Sequence, residues 1–488
     1  MDKGLEYLHD FLNDRKSLMI APAGHGKTHC IANCVSMSRG CSLILTHTHA
    51  GIASLKTKFS KANINPQSYH LETITGFVQH YVTSFIKSSE IPEVNDKSYF
   101  EVIIEKGKRL FSTTIVRTII KNSYSCLFVD EYQDCTIEQN SIIMEIADCL
   151  PTHLFGDEMQ GIFTFNGQRT VSFHNDLPGF THYKMLTTPW RWKNEGNSEA
   201  LGYEILRYRH LLELDPHSIT LTSNPQASFN VSCIDETRQD YYSYVGKIIR
   251  GIYSDSVLII APSGINFGTI YQRLKIRDRL GLRNTFKLIE ALDDKSFYSV
   301  AQSADDLIKS IHRKRKPIKE ISKFIEGLSF TKTDISSWIN NNKIVHKRSK
   351  EQSALSVELE DEVNSFMGTT STKTLLRIVE FFSVTIKLLP KRENLFYSLV
   401  KVMKNSIVNN KSVYDEMVSY KNRVRRSGRA IQGKCIATTL LTKGLEFDHV
   451  VILGADKFED CKNFYVALSR ARKSLTIFTN SYNIKFTH

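Results

Sequence analysis

The 488-residue chain has no apolar run long enough to cross a bilayer, which takes about 20 residues. Its first 16 residues are mixed and charged, so no secretory leader is expected and a cytoplasmic location is. Nine cysteines occur without a single Cys-x-x-Cys spacing. That excludes a disulfide framework or zinc ribbon as the organising device and leaves reduced thiols, with Cys30 and Cys34 one helical turn apart as packing residues. No repeat of fixed short period is present, which excludes a solenoid. An excess of acid is also lacking. Lysine and arginine number 64 against 51 aspartates and glutamates, a net charge of +13. Such a balance favours a polyanionic partner held through phosphates, most simply nucleic acid, while the missing apolar span leaves no membrane partner expected.

Two strand-like runs end in chemistry. Cys126-Leu127-Phe128-Val129 is a short apolar run closed abruptly by Asp130-Glu131-Tyr132-Gln133-Asp134. Acids at the carboxyl end of a buried strand face the crevice where open α/β sheets bind ligands. Asp130 is placed to hold magnesium and Glu131 to orient or deprotonate a water. Ser17-Leu18-Met19-Ile20 runs into Ala21-Pro22-Ala23-Gly24-His25-Gly26-Lys27-Thr28, a P-loop with alanine at the usual first glycine. Residues 23–27 would wrap the phosphates, with Lys27 on the β- and γ-oxygens and the Thr28 hydroxyl on magnesium. The helix opening at His29 would point its positive end at the same phosphates. A nucleoside triphosphate and magnesium are therefore expected here.

The length allows roughly two to four domains. Short apolar strands recur with helices between them, at 43–45, 154–155, 257–261, 435–438, 450–453 and 475–478. This argues for an α/β fold of parallel layers in two groups. Between about 281 and 433 the pattern turns helical, lysine-rich and poor in strands.

The order of further motifs is similar to the UvrD/PcrA/Rep-type superfamily 1 DNA helicases, over residues 17 to about 479. The resemblance implies two RecA-like P-loop NTPase motor domains with shortened, mainly helical accessory insertions, and ATP as the nucleotide. The first motor domain would take 1–77 and 125–192, and the second 193–280 and 434–488. Insertions would fill 78–124 and 281–433. Leu45-Thr46-His47-Thr48-His49-Ala50-Gly51 is similar to a strand-contacting segment, and Thr73-Ile74-Thr75-Gly76-Phe77 to the next one. Thr46, Thr48 and Thr75 would then touch DNA phosphates and His47 would stack on a base. In Gly156-Asp157-Glu158-Met159-Gln160-Gly161-Ile162-Phe163-Thr164-Phe165, Gln160 would sense the γ-phosphate. Phe163 and Phe165 would stack on bases, or else belong to a core. Thr164 and Asn166 replace two family arginines. Leu186-Thr187-Thr188-Pro189-Trp190-Arg191-Trp192 would supply Trp190 to the nucleobase and Arg191 to the γ-phosphate. Thr442-Lys443-Gly444-Leu445-Glu446-Phe447 would bring Gly444 and Glu446 to the nucleotide, Glu446 to its ribose or coupling network. Tyr465-Val466-Ala467-Leu468-Ser469-Arg470-Ala471-Arg472 would bring Arg470 as a second γ-phosphate arginine. The family's upstream adenine-reading glutamine is missing, since residues 1–16 contain none.

The resemblance implies a 3′-to-5′ DNA helicase or translocase whose ATP hydrolysis is stimulated by single-stranded DNA, or by duplex with a single-stranded end. DNA repair or anti-phage defence would be its setting. The trimmed insertions are similar to the helicase-like subunit of Gabija-type defence systems, which implies a nuclease partner of the OLD family. The alternative is a DNA-sensing ATPase switch that activates such a nuclease without processive unwinding. The basic runs 312–316 and 423–426 are either duplex contacts or solvated charge.

Overall fold

The computed structural model describes residues 3–92, 98–162, 169–194, 198–262, 269–291, 294–427 and 431–487. The chain divides into two compact units. One comprises residues 1–269, 279–281 and 427–488, and the other 270–278 and 282–426.

The first unit holds two parallel sheets flanked by helices, two RecA-like motor lobes. In the first lobe, strands β1 (Lys16–Ile20), β2 (Ser42–Thr46), β3 (Tyr69–Thr73), β4 (Cys126–Val129), β5 (Thr152–Gly156) and β6 (Thr181–Tyr183) form one six-stranded sheet. The order is β3-β2-β4-β5-β1-β6, and the pairs are parallel. Every residue of β2, β4 and β5 is buried. Strands covered on both faces must be apolar throughout, which is why they read as continuous runs. The P-loop strand β1 lies beside β5, and β5 lies beside β4. The three motif-bearing strand ends therefore open on the same edge, as parallel strands require.

The expected insertion at 78–124 does not stand apart. Helices Ile74–Phe85, Tyr99–Phe111 and Thr114–Ser123 send Val78, Val82, Ile103, Phe111, Val116 and Ile120 into one cluster with Leu43, Leu45, Leu127 and Val129 of the sheet. The segment is a covering layer of the first lobe. Gly107 permits that layer to close, because a Cβ there would collide with Val78.

In the second lobe, the five strands that fall in this unit run Lys434–Ala437, Val257–Ile260, Phe447–Ile452, Ala471–Thr479, Phe229–Cys233 across the sheet, all parallel. The helix Glu199–Leu214 and the helix Cys461–Leu468 belong to the same unit.

The second unit is helical and has its own core. Phe297, Ala301, Ile321, Phe366, Leu375 and Leu399 belong to one buried cluster. Its bounds fall at 270 and 426, where the sequence reading places 281 and 433, because the helix Ile270–Arg279 packs mainly with this unit. Arg392 is 3% exposed and donates to Glu290 and, at 2.7 Å, to Asp294. The Asp305 carboxylate accepts from Val413 N and Tyr414 N at 3.0 and 2.9 Å, tying the helix that starts at Val413 to the helix Lys295–Ser310. No helix of the described residues is long and apolar enough to cross a membrane.

Candidate nucleotide site

The P-loop leaves β1 and is pinned at once, with Ala21 N donating to Gly156 O at 2.9 Å. Gly24 and Gly26 have φ of 78° and 95°, the left-handed region that only glycine enters without strain. They have a second reason to be glycine. A Cβ on Gly24 would lie 2.7 Å from the Trp192 ring, and one on Gly26 would lie 2.9 Å from Trp190. Segment 190–192 is thus a roof laid directly on the loop, held further by Arg191 N donating to Gly24 O at 2.9 Å. Gly26 caps the helix Lys27–Met37, and His29 N and Cys30 N both donate to its carbonyl. Thr28, half-buried, sits in the first turn. His25 is buried, its Nδ1 against Ala23 O at 2.9 Å, and burial lowers its pKa to about 4. It is a neutral packing residue of the loop.

Lys27 meets Asp130 at 3.0 Å and also pairs with Glu131. Burial works against the ammonium, but the two carboxylates outweigh it and raise its pKa. Asp130, 4% exposed, is raised chiefly by burial. Burial also opposes ionisation of Glu131, but Lys27 and Lys443 prevail and hold it at about 2. Glu131 has φ of 56°, a conformation a non-glycine residue holds only when its surroundings impose it. Gln133 imposes it in part. Its Nε2 donates to Glu131 Oε2 at 2.5 Å while its Oε1 accepts from Asp157 N at 3.0 Å. Gln160, buried at the end of the turn Glu158–Gln160 that follows β5, donates to Asp157 Oδ2 at 3.0 Å and to Ala21 O at 3.5 Å.

Thr28 and Asp130 fit a magnesium ion that takes most of its remaining ligands from phosphate and water. Asp130 carries a buried carboxylate whose ionised form needs a cation beside it. Among the described residues no cluster of three or more His, Cys, Asp or Glu forms a metal cage.

The second lobe reaches this site at four places. Lys443 Nζ donates to Asp134 at 2.5 and 2.7 Å and to Gln160 O at 2.8 Å. Arg191 pairs with Glu446 at 2.7 Å and donates to Ser469 O at 2.6 Å. Trp192 Nε1 donates to Ala471 O at 2.9 Å. Tyr465 OH accepts from Ala23 N at 3.4 Å.

Several expected residues are placed differently. Arg470 does not extend toward the P-loop. Its three guanidinium nitrogens donate to Val466 O, Leu445 O and Ser469 Oγ, all in its own lobe. Burial first, then the Arg191 charge, lowers it to about 10. Glu446 faces Arg191. Gly444 adopts φ of 79° in open space, so its requirement is conformational. Trp190 is 44% exposed, its ring lying over Gly26 with the Lys193 ammonium 5.3 Å from the ring centroid.

Two of the expected strand-contacting residues, Thr46 and His47, are placed differently. Thr46 is buried at the end of β2, where all five strand residues are covered, and its hydroxyl has no partner. It offers nothing to a passing strand. His47 turns inward instead of presenting a ring for a base. Its Nε2 lies 3.3 Å from Cys135 Sγ, and burial lowers it to about 3. The reason is register, since Leu45 pairs with Val129 and so sets the next residues beside the acid turn. Thr48 accepts from Gly51 N and caps the helix His49–Lys61. Thr75 is half-buried and accepts from Gln139 at 3.4 Å. Phe163 and Phe165, with Thr164 and Asn166, lie outside the described residues.

Sequence inspection quoted but did not single out Asp134, Lys443, Asp157 and Tyr465, and it passed over Arg209 altogether. Arg209 and Asp157 form a buried pair at 2.7 Å, 2% and 0% exposed. Only the acids flanking Asp130 and the Lys-Gly-Leu-Glu-Phe run hinted at the Asp134–Lys443 contact.

Comparison with known families agrees with this geometry. Residues 6–166 match the AAA domain model, and residues 345–479 match the viral superfamily 1 RNA helicase core domain model. No curated protein matches the chain. The matches support a P-loop NTPase of the superfamily 1 helicase type. They suggest an enzyme with ATP-dependent helicase activity on nucleic acid, ATP-binding and generally using magnesium.

Proposed function

We propose that this chain is a UvrD-type motor that hydrolyses ATP under stimulation by single-stranded DNA and moves 3′ to 5′. The observation that supports it most is the junction of Lys27, Asp130 and Glu131 with Lys443 and Arg191, at a site both lobes build. Lys27 is held by two carboxylates, Asp130 and Glu131. ATP phosphates would draw Lys27 away, and Glu131 would regain the basicity that Lys27 suppresses, so that it can take a proton from water. Magnesium on Thr28 and Asp130 would neutralise phosphate charge. Arg191 would move from Glu446 to the γ-phosphate, and Gln160 would report that phosphate to the following loop. Trp190 would carry the base. With no upstream glutamine, base selection would rest on stacking.

The net charge of +13 is in keeping with a nucleic-acid track. A role in DNA repair or anti-phage defence, with an OLD-family nuclease as partner, is part of the same proposal. A second reading, a DNA-sensing switch that licenses such a nuclease, draws on Thr164 and Asn166 standing where the family has arginines. ATP turnover measured at low salt with single-stranded DNA, duplex DNA and single-stranded RNA tests the motor. Stimulation by single-stranded DNA is expected. Stimulation by RNA alone would move the substrate class, and none by any of them would overturn the motor reading. Robust strand displacement by the isolated chain would count against the switch.

A further inference from the structure

We infer that Lys443 is a positioning residue that transmits the separation of the two lobes to the catalytic acid and to the phosphate sensor. The inference rests on the hydrolysis reading above. An ammonium has three donors, and here they meet three first-lobe oxygens, both of Asp134 and the Gln160 carbonyl. These acceptors sit on two different loops. Asp134 closes the turn Tyr132–Asp134 that follows Glu131, and Gln160 ends the turn Glu158–Gln160. Gln133 cross-links the two loops through Glu131 and Asp157 N. A single second-lobe side chain therefore holds both loops.

The contact is all-or-none. Lys443 and Asp134 side chains are 11% and 3% exposed. Burial raises Asp134 to about 7 and lowers Lys443, so neither charge is comfortable there without the other. A buried pair that loses one member is strongly penalised. When the lobes part, the ammonium leaves and Asp134 becomes an unpaired buried carboxyl. The acid turn and the sensor turn then lose their shared anchor together. Closure restores both at once, which makes hydrolysis conditional on the lobes being in register. No contact from Lys443 to a nucleotide is required.

Steady-state ATPase kinetics of full-length Lys443→Met, Lys443→Arg, Asp134→Asn and the Lys443→Met/Asp134→Asn double variant test this. The expected result for Lys443→Met is a kcat loss of at least ~10-fold with ATP KM within ~3-fold, with and without nucleic acid, because positioning rather than binding is lost. Lys443→Arg should recover part of kcat. The double variant should be no worse than the poorer single, since the two side chains act as one unit. A rise in KM at unchanged kcat, or losses that multiply, would overturn the inference. Melting curves and binding of a fluorescent ATP analogue separate misfolding from mispositioning. Should Lys443→Met fail to fold, the Arg and Asn variants carry the same kcat-against-KM comparison. Absence of nucleic-acid stimulation in the wild type would sink the motor proposal but leave this kcat comparison intact.

Discussion

Replacing Arg209 by methionine removes the counter-ion of the most buried carboxylate at the site. Asp157 is 0% exposed and takes Arg209 Nη2 at 2.7 Å and Nε at 3.2 Å. It also accepts from Met159 N at 3.2 Å and from Gln160 Nε2 at 3.0 Å. Methionine keeps most of the volume, so the loss is electrostatic. Breaking one side of a buried pair costs about 3–5 kcal/mol because a charge is left without compensation. The second Arg209 partner, Glu213, is half-exposed and adds little. Urea unfolding of the wild type, Arg209→Met, and Arg209→Met/Asp157→Asn measures it. The single variant should lose about 3–5 kcal/mol and the double variant distinctly less, since the neutral amide carries no stranded charge. ATP turnover should fall along with stability, because Asp157 orients Gln160. A double variant as unstable as the single, or a single variant within about 1 kcal/mol of wild type, would refute the reasoning.

Glu131→Gln should bind ATP and lower kcat by at least ~100-fold, as loss of a general base does; turnover above a tenth of wild type would deny Glu131 that role. Trp190→Ala should cost about 1–3 kcal/mol of base stacking, seen as a rise in KM for ATP but not for inorganic tripolyphosphate inhibition. His153 is buried against Ser17 Oγ at 2.7 Å, and burial lowers its pKa from 6.5 to about 4. A depressed folded value means its stability contribution is complete above pH 6.5 and lost as pH falls through about 4. Urea midpoints across that window should fall more steeply for wild type than for His153→Gln, and equal slopes would sink the assignment.

Local chemistry was legible wherever a strand end and its loop lie together in the chain. Ile20 to Thr28 and Cys126 to Glu131 each carry burial pattern, turn and ligand within a dozen residues, so two parallel sheets and a P-loop site could be read from sequence. What escaped was everything set by distance. Lys443 meets Asp134 across 309 residues and Arg209 meets Asp157 across 52. No periodicity connects such positions. The helices over 78–124 looked like an insertion because they contribute no strand to the sheet, although their apolar faces complete its cover. Thr46 and His47 misled in the opposite direction. Their residue types suit a nucleic-acid surface, but Thr46 is the buried last residue of β2 and His47 packs against Cys135.

Glu446 separates two roles that the bare motif leaves merged. It is the carboxylate beside Arg191. Lys27 on the P-loop and Arg191, hydrogen-bonded to that loop, are the cations set where a triphosphate would lie, and Glu446 is the anion that balances Arg191. If it only occupies that place, Glu446→Gln frees Arg191 and tightens binding of any polyphosphate. If it also holds the ribose, the same change weakens ATP. Tripolyphosphate has no ribose, so the two effects separate. Its affinity should rise in Glu446→Gln by a few-fold, the scale of one partly exposed charge pair, while ATP gains less than tripolyphosphate does. Equal gains would leave Glu446 as a competitor alone, and weaker tripolyphosphate binding would deny that it competes at all.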